Sequence, residues 1–370
     1  MHNDRFVRFG DSDSALKAYF ANEHSKARMD LVRESIIEVR EGWHAVYDEQ
    51  LSALSAKLFP SGFAGDLEFT TKAERLFGAR RDWRERLSSE DQARIGTEAV
   101  WLYTSSLGYD RMFRAVYDIF RTAGPTKDDV RLATFLVEIL NIDLYNHWAA
   151  NPEAQNFDGI VYRGMSIART SYDHFRALAA GAAGLRSFSI PLALNSASVT
   201  EEQTQPFMEY GLEKHPDYIP VLHKIHVRGL SDDRLALYRK VYPESVVSTI
   251  CAVPIRSLSA YPTEEEVLLR GPFFELLRTE QHPTRRVAGQ PVQVFEMLML
   301  NSNRDHFTTP QTGGNDPARR LFNALVKTQK FEACAEIIAS IDPHADRGGY
   351  EALRDQGQLA VEAALRDVPA

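Results

Sequence analysis

Two glutamates separated by a single residue are the first candidates for chemistry in this sequence. They lie in the segment 261–269, which reads YPTEEEVLL. If the backbone here is extended, the side chains of Glu264 and Glu266 point to one face and that of Glu265 to the other. Two carboxylates held close together repel, which raises the pKa of one of them. One carboxylate can then transfer a proton while the other stabilises a positive charge. The apolar residues 267–269 place the pair at the mouth of a buried strand. The alternative interpretation of the same segment is a solvated run of charged residues.

Two other segments end in polar groups that could bind a ligand. Arg163 and Gly164 close the run GIVYRG, where a guanidinium could contact a phosphate through two hydrogen bonds and glycine would allow close backbone approach. Ser196 and Ser198 lie two residues apart, so in a strand both hydroxyls share a face. Both segments also have structural interpretations: a surface arginine after a strand, and a strand end whose Ser198 or Thr200 caps the next helix.

The order of these segments resembles that of the arginine–serine–glutamate class of mono-ADP-ribosyltransferases, and in particular the NAD–arginine ADP-ribosyltransferase family. The family's motifs correspond here to VYRG at 161–164, SAS at 196–198 and SAYPTEEEVL at 259–268. The segment LYT at 102–104 is similar to the family's tyrosine–threonine lead-in. The segment GPFFE at 271–275 is similar to the strand that follows its glutamates.

The resemblance covers about residues 90–300 and departs from the family pattern at two points. Ala197 stands where threonine is usual, but its side chain is expected to face away from the first serine. The segment before Ser196 has no aromatic residue in the usual place, which leaves Ser189 as a second candidate for the motif serine. Ser196 is preferred because residues 200–207 then supply the expected helix start behind it.

The resemblance implies a binding site for NAD+ as co-substrate, without a metal. Arg163 would hold the diphosphate of NAD+, because a planar guanidinium contacts phosphate oxygens in pairs and lysine does not. Gly164 would leave room for the dinucleotide. Ser196 would orient both the nicotinamide ribose and the catalytic carboxylate, and Ser198 would complete the NAD-binding set.

The same resemblance assigns the two glutamates different tasks. Glu266 would stabilise the positive charge that develops on the ribose when nicotinamide leaves. Glu264 would pair with the guanidinium of an acceptor arginine and take its proton during attack. With Ser196 they form the implied catalytic set of an enzyme that transfers ADP-ribose from NAD+ to a protein arginine. The alternatives are an NAD+ glycohydrolase, whose acceptor is water, and an inactive scaffold of the same fold that binds a partner.

Helices are predicted on the N-terminal side of these segments. Apolar residues between 29 and 58 recur in steps of three and four, which predicts an amphipathic helix within an N-terminal helical region, 1–87. Such a helix must bury its stripe in a helical bundle or against a partner. Capping boxes that begin at Ser88 and Thr126 predict the starts of helices. These helices form a predicted helical lead-in, 88–150, to the catalytic domain.

Short β-rich runs separated by turn residues fill the segment 157–300, the core of a catalytic domain predicted at 88–302. Strands that follow helices rather than alternate with them indicate an α+β fold with antiparallel sheets. The resemblance implies the split β-sandwich of ADP-ribosyltransferases, with an NAD+ cleft. A helical appendage is predicted at 316–370. The helices at both ends of the chain could hold a protein partner or only widen the core.

The composition restricts the partners. The 370 residues carry a formal net charge of −8 and a sequence pI of about 5.8, which argues against nucleic acid as the main partner. The two cysteines have no zinc-site spacing and fit buried free thiols. We find no signal-peptide core and no apolar run long enough for a membrane span. We therefore expect synthesis in a cytoplasm and, for a bacterial toxin or effector, delivery into another cell by a route without a cleaved signal.

Overall fold

A computed structural model of the chain describes residues 34–35, 38, 43–78, 98–121, 126–189, 194–245, 247–270, 273–304 and 317–368. Helices occupy the first part of the described chain and most strands lie in its middle, so the predicted α+β fold is confirmed. Several sequence predictions fall outside the described residues: the capping box at Ser88, residues 271–272 of the GPFFE segment, the first residue of the helical appendage predicted at 316–370, residues 190–193 of the segment before Ser196 and most of the apolar stripe before residue 43.

Five helices form the N-terminal part of the described chain: α1 Trp43–Leu58, α2 Leu67–Gly78, α3 Glu98–Thr104, α4 Ser106–Arg121 and α5 Lys127–Ala150. The predicted capping box at the start of α5 is confirmed. The Thr126 hydroxyl accepts a hydrogen bond from the backbone N–H of Asp129, and the Asp129 carboxylate accepts one from the N–H of Thr126. These five helices bury their apolar side chains in one common core.

The strands and remaining helices follow. The strands are β1 Gly159–Ile167, β2 Ser187–Ser189, β3 Leu194–Ser198, β4 Ile219–Arg228, β5 Val247–Ser248, β6 Ala252–Pro254, β7 Glu266–Arg270, β8 Phe273–Val287, β9 Gln290–Leu300 and β10 Asn303–Arg304. The helices are α6 Arg169–Ala179, α7 Gln205–Lys214, α8 Asp232–Val241, α9 Pro317–Ile341 and α10 Gly348–Arg366. Two short 3₁₀ turns, Glu202–Thr204 and Pro262–Glu264, precede α7 and β7.

Eight of these strands form one sheet in the order β2-β8-β9-β4-β1-β3-β7-β6. Neighbouring strands pair antiparallel as expected, except that β4 and β9 run parallel. The expectation of antiparallel sheets fails at this pair for a topological reason. Four strands lie between β4 and β9 in the chain, and so long a connection can bring the chain back in its original direction.

The two ends of this sheet share one apolar core. Val267 and Leu269 of β7 and Ala252 of β6 belong to the same buried cluster as Phe274 of β8 and Phe295 of β9. Val161 of β1, Ala197 of β3 and Ile225 of β4 belong to it too. This buried cluster therefore extends along one face of the sheet from β6 to β8.

Strands β3 and β7 are buried on both faces. Leu194 and Leu268 belong to the core of helices α1–α5, whereas Val267 and Leu269 lie in the cluster that covers the other face of the sheet. Tyr103 of α3 donates a hydrogen bond of 2.6 Å to the carbonyl of Leu194, which ties the helices to β3. The ends of β3 and β7 are therefore fixed between two packed layers.

Helices α9 and α10 pack against the other end of the sheet. Leu277 of β8 lies in one buried cluster with Phe331 and Tyr350. The Glu275 carboxylate, which is fully buried, forms an ion pair of 2.7 Å with Lys330 of α9. The C-terminal helices are thus held by apolar and ionic contacts, and the domain boundaries predicted from the sequence stay predictions.

Both cysteines are buried and unbonded, as expected from the sequence. Burial raises the pKa of the Cys334 thiol, which keeps it in the protonated, unreactive form. Among the described helices, none combines the length and the apolar character that a membrane crossing requires.

Candidate active site

One cleft of about 270 Å³ brings together all six site residues predicted from the sequence: Arg163, Gly164, Ser196, Ser198, Glu264 and Glu266. Thr104, Ser106 and Tyr109 of the α3–α4 region form part of its wall, and Gln203, Thr204 and Phe207 form another part. Ser189, the alternative motif serine, pairs with Phe273 at the far end of the sheet. The structure therefore brings Ser196 to the cleft and places Ser189 elsewhere.

The register of three neighbouring strands explains this convergence. Ser198 lies opposite Tyr162 of β1 on one side and opposite Glu266 of β7 on the other. Residues directly opposite in an antiparallel pair share a face, and so do alternate residues along one strand. Ser196, Ser198 and Glu266 therefore face the same side, although 70 residues separate the first from the last.

Arg163 is directed toward β3, where its Nη1 donates a hydrogen bond of 2.6 Å to the carbonyl of Ser196. His223 lies opposite Arg163 in the β1–β4 pair and stacks on Phe295. Burial, and then the nearby charge of Arg163, lower the pKa of His223 to about 3. His223 is therefore neutral at physiological pH and adds no second positive charge beside the guanidinium.

Gly164 is required by protein packing. A Cβ atom at this position would lie 2.2 Å from the carbonyl oxygen of Thr204 and 2.8 Å from its Cβ. The 3₁₀ turn before α7 thus packs directly on the backbone of β1. The space that the family resemblance leaves for the dinucleotide is filled by Thr204, while Gly164 still lines the cleft.

Glu266 is the more buried of the two glutamates, with 7% of its surface exposed. Its carboxylate accepts hydrogen bonds from the hydroxyls of Ser196 and Ser259, the latter at 3.2 Å. Burial raises the pKa of Glu266, and the nearby Glu264 adds to this effect. The two hydroxyls and Arg163 oppose it, but the pKa remains above its ordinary value. The site therefore holds a desolvated carboxylate in a fixed orientation.

The backbone between Glu264 and Glu266 is not extended, so the condition for placing both side chains on one face of a strand is not met. Glu264 ends a 3₁₀ turn, and Glu265 has a φ of 48°, in the left-handed region. This reversal still directs Glu264 and Glu266 into the cleft, while Glu265 points to solvent and lies 3.7 Å from Arg256. Burial raises the pKa of Glu264 as well, because its carboxylate is half-buried. The two carboxylates therefore reach the same cleft through a turn and not through the alternation of a strand.

Ser198 fixes this turn from the neighbouring strand. Its hydroxyl donates a hydrogen bond of 2.8 Å to the carbonyl of Glu264 and accepts one of 3.1 Å from the N–H of Thr200. The alternative of a helix cap fails, because neither the 3₁₀ turn before α7 nor α7 itself has a side-chain cap. The hydroxyl of Ser198 is thus engaged mainly with the protein backbone.

Several residues of the site had no assigned role in the sequence analysis. Thr104 accepts a hydrogen bond of 2.9 Å from the N–H of Ala260, which joins α3 to the segment that carries the glutamates. Tyr109, Phe207 and Tyr261 add aromatic surface to the cleft. Thr104 and Tyr261 had a local signal, because they lie within the LYT segment and the glutamate segment, respectively. Tyr109 and Phe207 lie on helical stripes, whose pattern alone does not separate core positions from cleft positions.

Comparison with protein-family models and with curated proteins gave no match. Among solved structures, the chain is similar to the ADP-ribosyltransferase HopU1 of Pseudomonas syringae pv. tomato, with 13% identity, coverage of 68% of this chain and 96% of that chain, and a TM-score of 0.39. The type III effector XopAI of Xanthomonas axonopodis pv. citri has 14% identity, coverage of 73% and 98%, and a TM-score of 0.37.

The Vis toxin, an ADP-ribosyltransferase from Vibrio splendidus, has 16% identity to this chain. The similarity covers 58% of this chain and 76% of the toxin, with a TM-score of 0.33. Similarity at this level carries no conclusion about activity. The residues of the cleft are therefore what bears on the function of this protein.

Proposed function

We propose that this protein is a mono-ADP-ribosyltransferase, which cleaves NAD+ and transfers the ADP-ribose to an arginine of a target protein. The observation that carries the proposal is that buried Glu266, half-buried Glu264 and the Arg163 guanidinium converge in one cleft. A carboxylate in such a desolvated setting interacts with a developing positive charge more strongly than it would in water.

Glu266 is suited to the cleavage step. When the bond between ribose C1 and nicotinamide breaks, its electron pair leaves with nicotinamide and the ribose gains oxocarbenium character. The Glu266 carboxylate, oriented by the hydroxyls of Ser196 and Ser259, hydrogen-bonds a ribose hydroxyl in this proposal. Its interaction strengthens as the charge develops, so it lowers the barrier rather than only binding the substrate.

The remaining residues fit a dinucleotide as co-substrate. Arg163 supplies a charge fixed near β3, suited to the diphosphate. Tyr109 and Phe207 offer flat apolar faces to planar rings. Gly164 contributes backbone to the cleft wall, and we now assign Ser198 to holding the Glu264 turn rather than to direct contact with NAD+.

Glu264 supports arginine as the acceptor. A guanidinium attacks only when it loses a proton, and a carboxylate beside it can both pair with it and accept that proton. In the transfer step, a guanidinium nitrogen forms a bond to ribose C1 and the proton moves to Glu264. The raised pKa of Glu264 makes its carboxylate a stronger base for this task.

The test compares free ADP-ribose with protein-bound label after incubation with labelled NAD+ and a mixed lysate. Glu266→Gln should abolish both products, and Glu264→Gln should abolish transfer while some hydrolysis remains. Glu265→Gln is the matched control, because this solvent-exposed neighbour should leave both activities unchanged. Mass spectrometry should locate the label on arginine.

Three results would contradict the proposal. Hydrolysis without any protein label would identify an NAD+ glycohydrolase. A flat titration of the protein with NAD+ would favour the inactive scaffold. Equal transfer by Glu264→Gln and the wild type would remove the role assigned to Glu264 while leaving the cleavage step intact.

A further inference from the structure

We propose that Ser259 is a positioning residue, whose hydroxyl holds the Glu266 carboxylate and the Glu264-bearing turn in a fixed relation. This inference rests on the proposed function for the task of Glu266. Ser259 is 4% exposed, and the cleft wall is formed by other residues. It therefore acts through Glu266 rather than on a substrate.

The direction of the hydrogen bonds at Ser259 follows from its single hydroxyl proton. The oxygen accepts a hydrogen bond of 3.0 Å from the backbone N–H of Tyr261. That contact uses a lone pair and leaves the proton for Glu266 Oε2, at 3.2 Å. Because the side chain is buried, water does not compete for either contact. The hydroxyl thus links the start of the turn to the carboxylate at its end.

The backbone around Ser259 closes the same unit. The N–H of Ile255 donates to the carbonyl of Glu266 at 2.9 Å, and the N–H of Ser259 donates to the carbonyl of Ile255 at 2.8 Å. Ser259 is therefore held against Glu266 by two backbone hydrogen bonds in series as well as by its side chain. The segment from 255 to 266 forms a closed loop whose two ends cannot separate without breaking these contacts.

Ser259 differs from Ser196, the other hydroxyl on Glu266. Ser196 lines the cleft, where the family resemblance also implies that it orients the nicotinamide ribose. Ser259 does not line the cleft, so it has no substrate group to orient. We therefore expect Ser259 to maintain the orientation of Glu266 during the part of the cycle when Ser196 turns to the substrate.

This arrangement has a consequence for pH dependence. A hydroxyl that donates to a carboxylate favours its ionised form, so Ser259 lowers the pKa of Glu266, which burial raises. The other charged groups that act on Glu266 are Glu264, which raises its pKa, and Arg163, which lowers it. Removing the Ser259 hydroxyl should therefore raise the pKa of Glu266, and the ionised form should be lost at a higher pH.

The experiment measures kcat and KM for NAD+ hydrolysis from pH 4 to pH 9 in wild type, Ser259→Ala and Ser259→Thr. In Ser259→Ala we expect the acid limb of kcat to move upward by about one pH unit, as for loss of one charge-assisted hydrogen bond, with KM within about twofold of wild type. Ser259→Thr, which keeps the hydroxyl, should restore the profile. Ser245→Ala is the matched control, because Ser245 is also buried and its hydroxyl bonds Tyr238 far from the glutamates.

A second measurement separates this inference from the proposed function. Carbon-13 NMR of glutamate-labelled protein follows the Glu266 carboxyl, assigned by its loss in Glu266→Gln. A higher Glu266 pKa in Ser259→Ala than in wild type supports the positioning role even if wild type fails to cleave NAD+. An unchanged Glu266 pKa, or a loss of kcat without any shift of the acid limb, would overturn it.

Discussion

Gly164→Ala tests whether the close contact between β1 and the turn before α7 shapes the cleft. The new Cβ would lie 2.2 Å from the carbonyl oxygen of Thr204. An ordinary carbon–oxygen separation is about 3.3 Å, so the turn must move by about 1 Å. Gln203, Thr204 and Phe207 would move with it, and all three line the cleft.

Two magnitudes follow from this displacement. Forcing a methyl group into a packed interface costs about 1–3 kcal/mol of unfolding free energy, measured by urea denaturation. A misplacement of about 1 Å at a catalytic site costs on the order of 10²-fold in rate, measured as kcat/KM for NAD+ hydrolysis. Both losses are expected together, because one movement causes them.

Gly159→Ala is the matched control on the same strand. Its Cβ would meet only Phe157, at 3.6 Å, which is an ordinary contact. We expect stability within about 0.5 kcal/mol of wild type and full activity. If Gly164→Ala behaves like Gly159→Ala, the packing explanation is wrong. If Gly164→Ala keeps its stability but binds NAD+ weakly, the glycine serves the dinucleotide, as the sequence alone indicated.

Two further predictions concern charged groups. Arg163→Lys should weaken NAD+ binding at least about tenfold by calorimetry, because an ammonium cannot contact two phosphate oxygens in a plane; an unchanged dissociation constant would rule out the diphosphate contact. Lys330→Met should cost about 3–5 kcal/mol of unfolding free energy at pH 7, because it leaves Glu275 buried without its cation, whereas the exposed Lys327→Met should cost little. Burial would raise the pKa of Glu275, but Lys330 and neighbouring donors bring it below the ordinary value of 4.5. The stabilising pair is therefore present above that pH and lost on acidification, so a cost of Lys330→Met that persists unchanged at pH 3 would contradict this reasoning.

The residues of the candidate site could be selected from the sequence because their local patterns are also present in the structure. Arg163 stands on a strand beside a glycine, Ser196 and Ser198 alternate on another, and Glu266 begins a buried third. The start of α5 was also predictable, because a capping box at Thr126 depends on residues only three positions apart. Patterns of this kind depend on steric contacts and hydrogen bonds between residues close in the chain. The spacing of residue types in the sequence therefore indicates them.

The features that the sequence did not reveal depend on partners distant in the chain. Nothing near Gly164 indicates that Thr204 will pack on it, 40 positions later. The left-handed conformation of Glu265 was likewise not predictable. A strand and a sharp turn both bring Glu264 and Glu266 to one side, so the spacing of the glutamates does not distinguish these two geometries. The parallel pairing of β4 with β9 is set by how the whole sheet closes.

The single left-handed residue between the two glutamates gives their carboxylates different degrees of burial. Glu266 begins a strand whose five residues are all buried, so its carboxylate can be held in the orientation that the proposed cleavage of NAD+ requires. Glu264 lies one turn earlier, half-buried and tied by backbone hydrogen bonds to Tyr261 and Ser198. Because Glu264 lies outside the strand, its carboxylate is less buried than that of Glu266 and is open to the guanidinium of the proposed acceptor. The hydroxyl of Ser259 keeps this turn fixed against Glu266, so the difference in burial does not separate the two carboxylates.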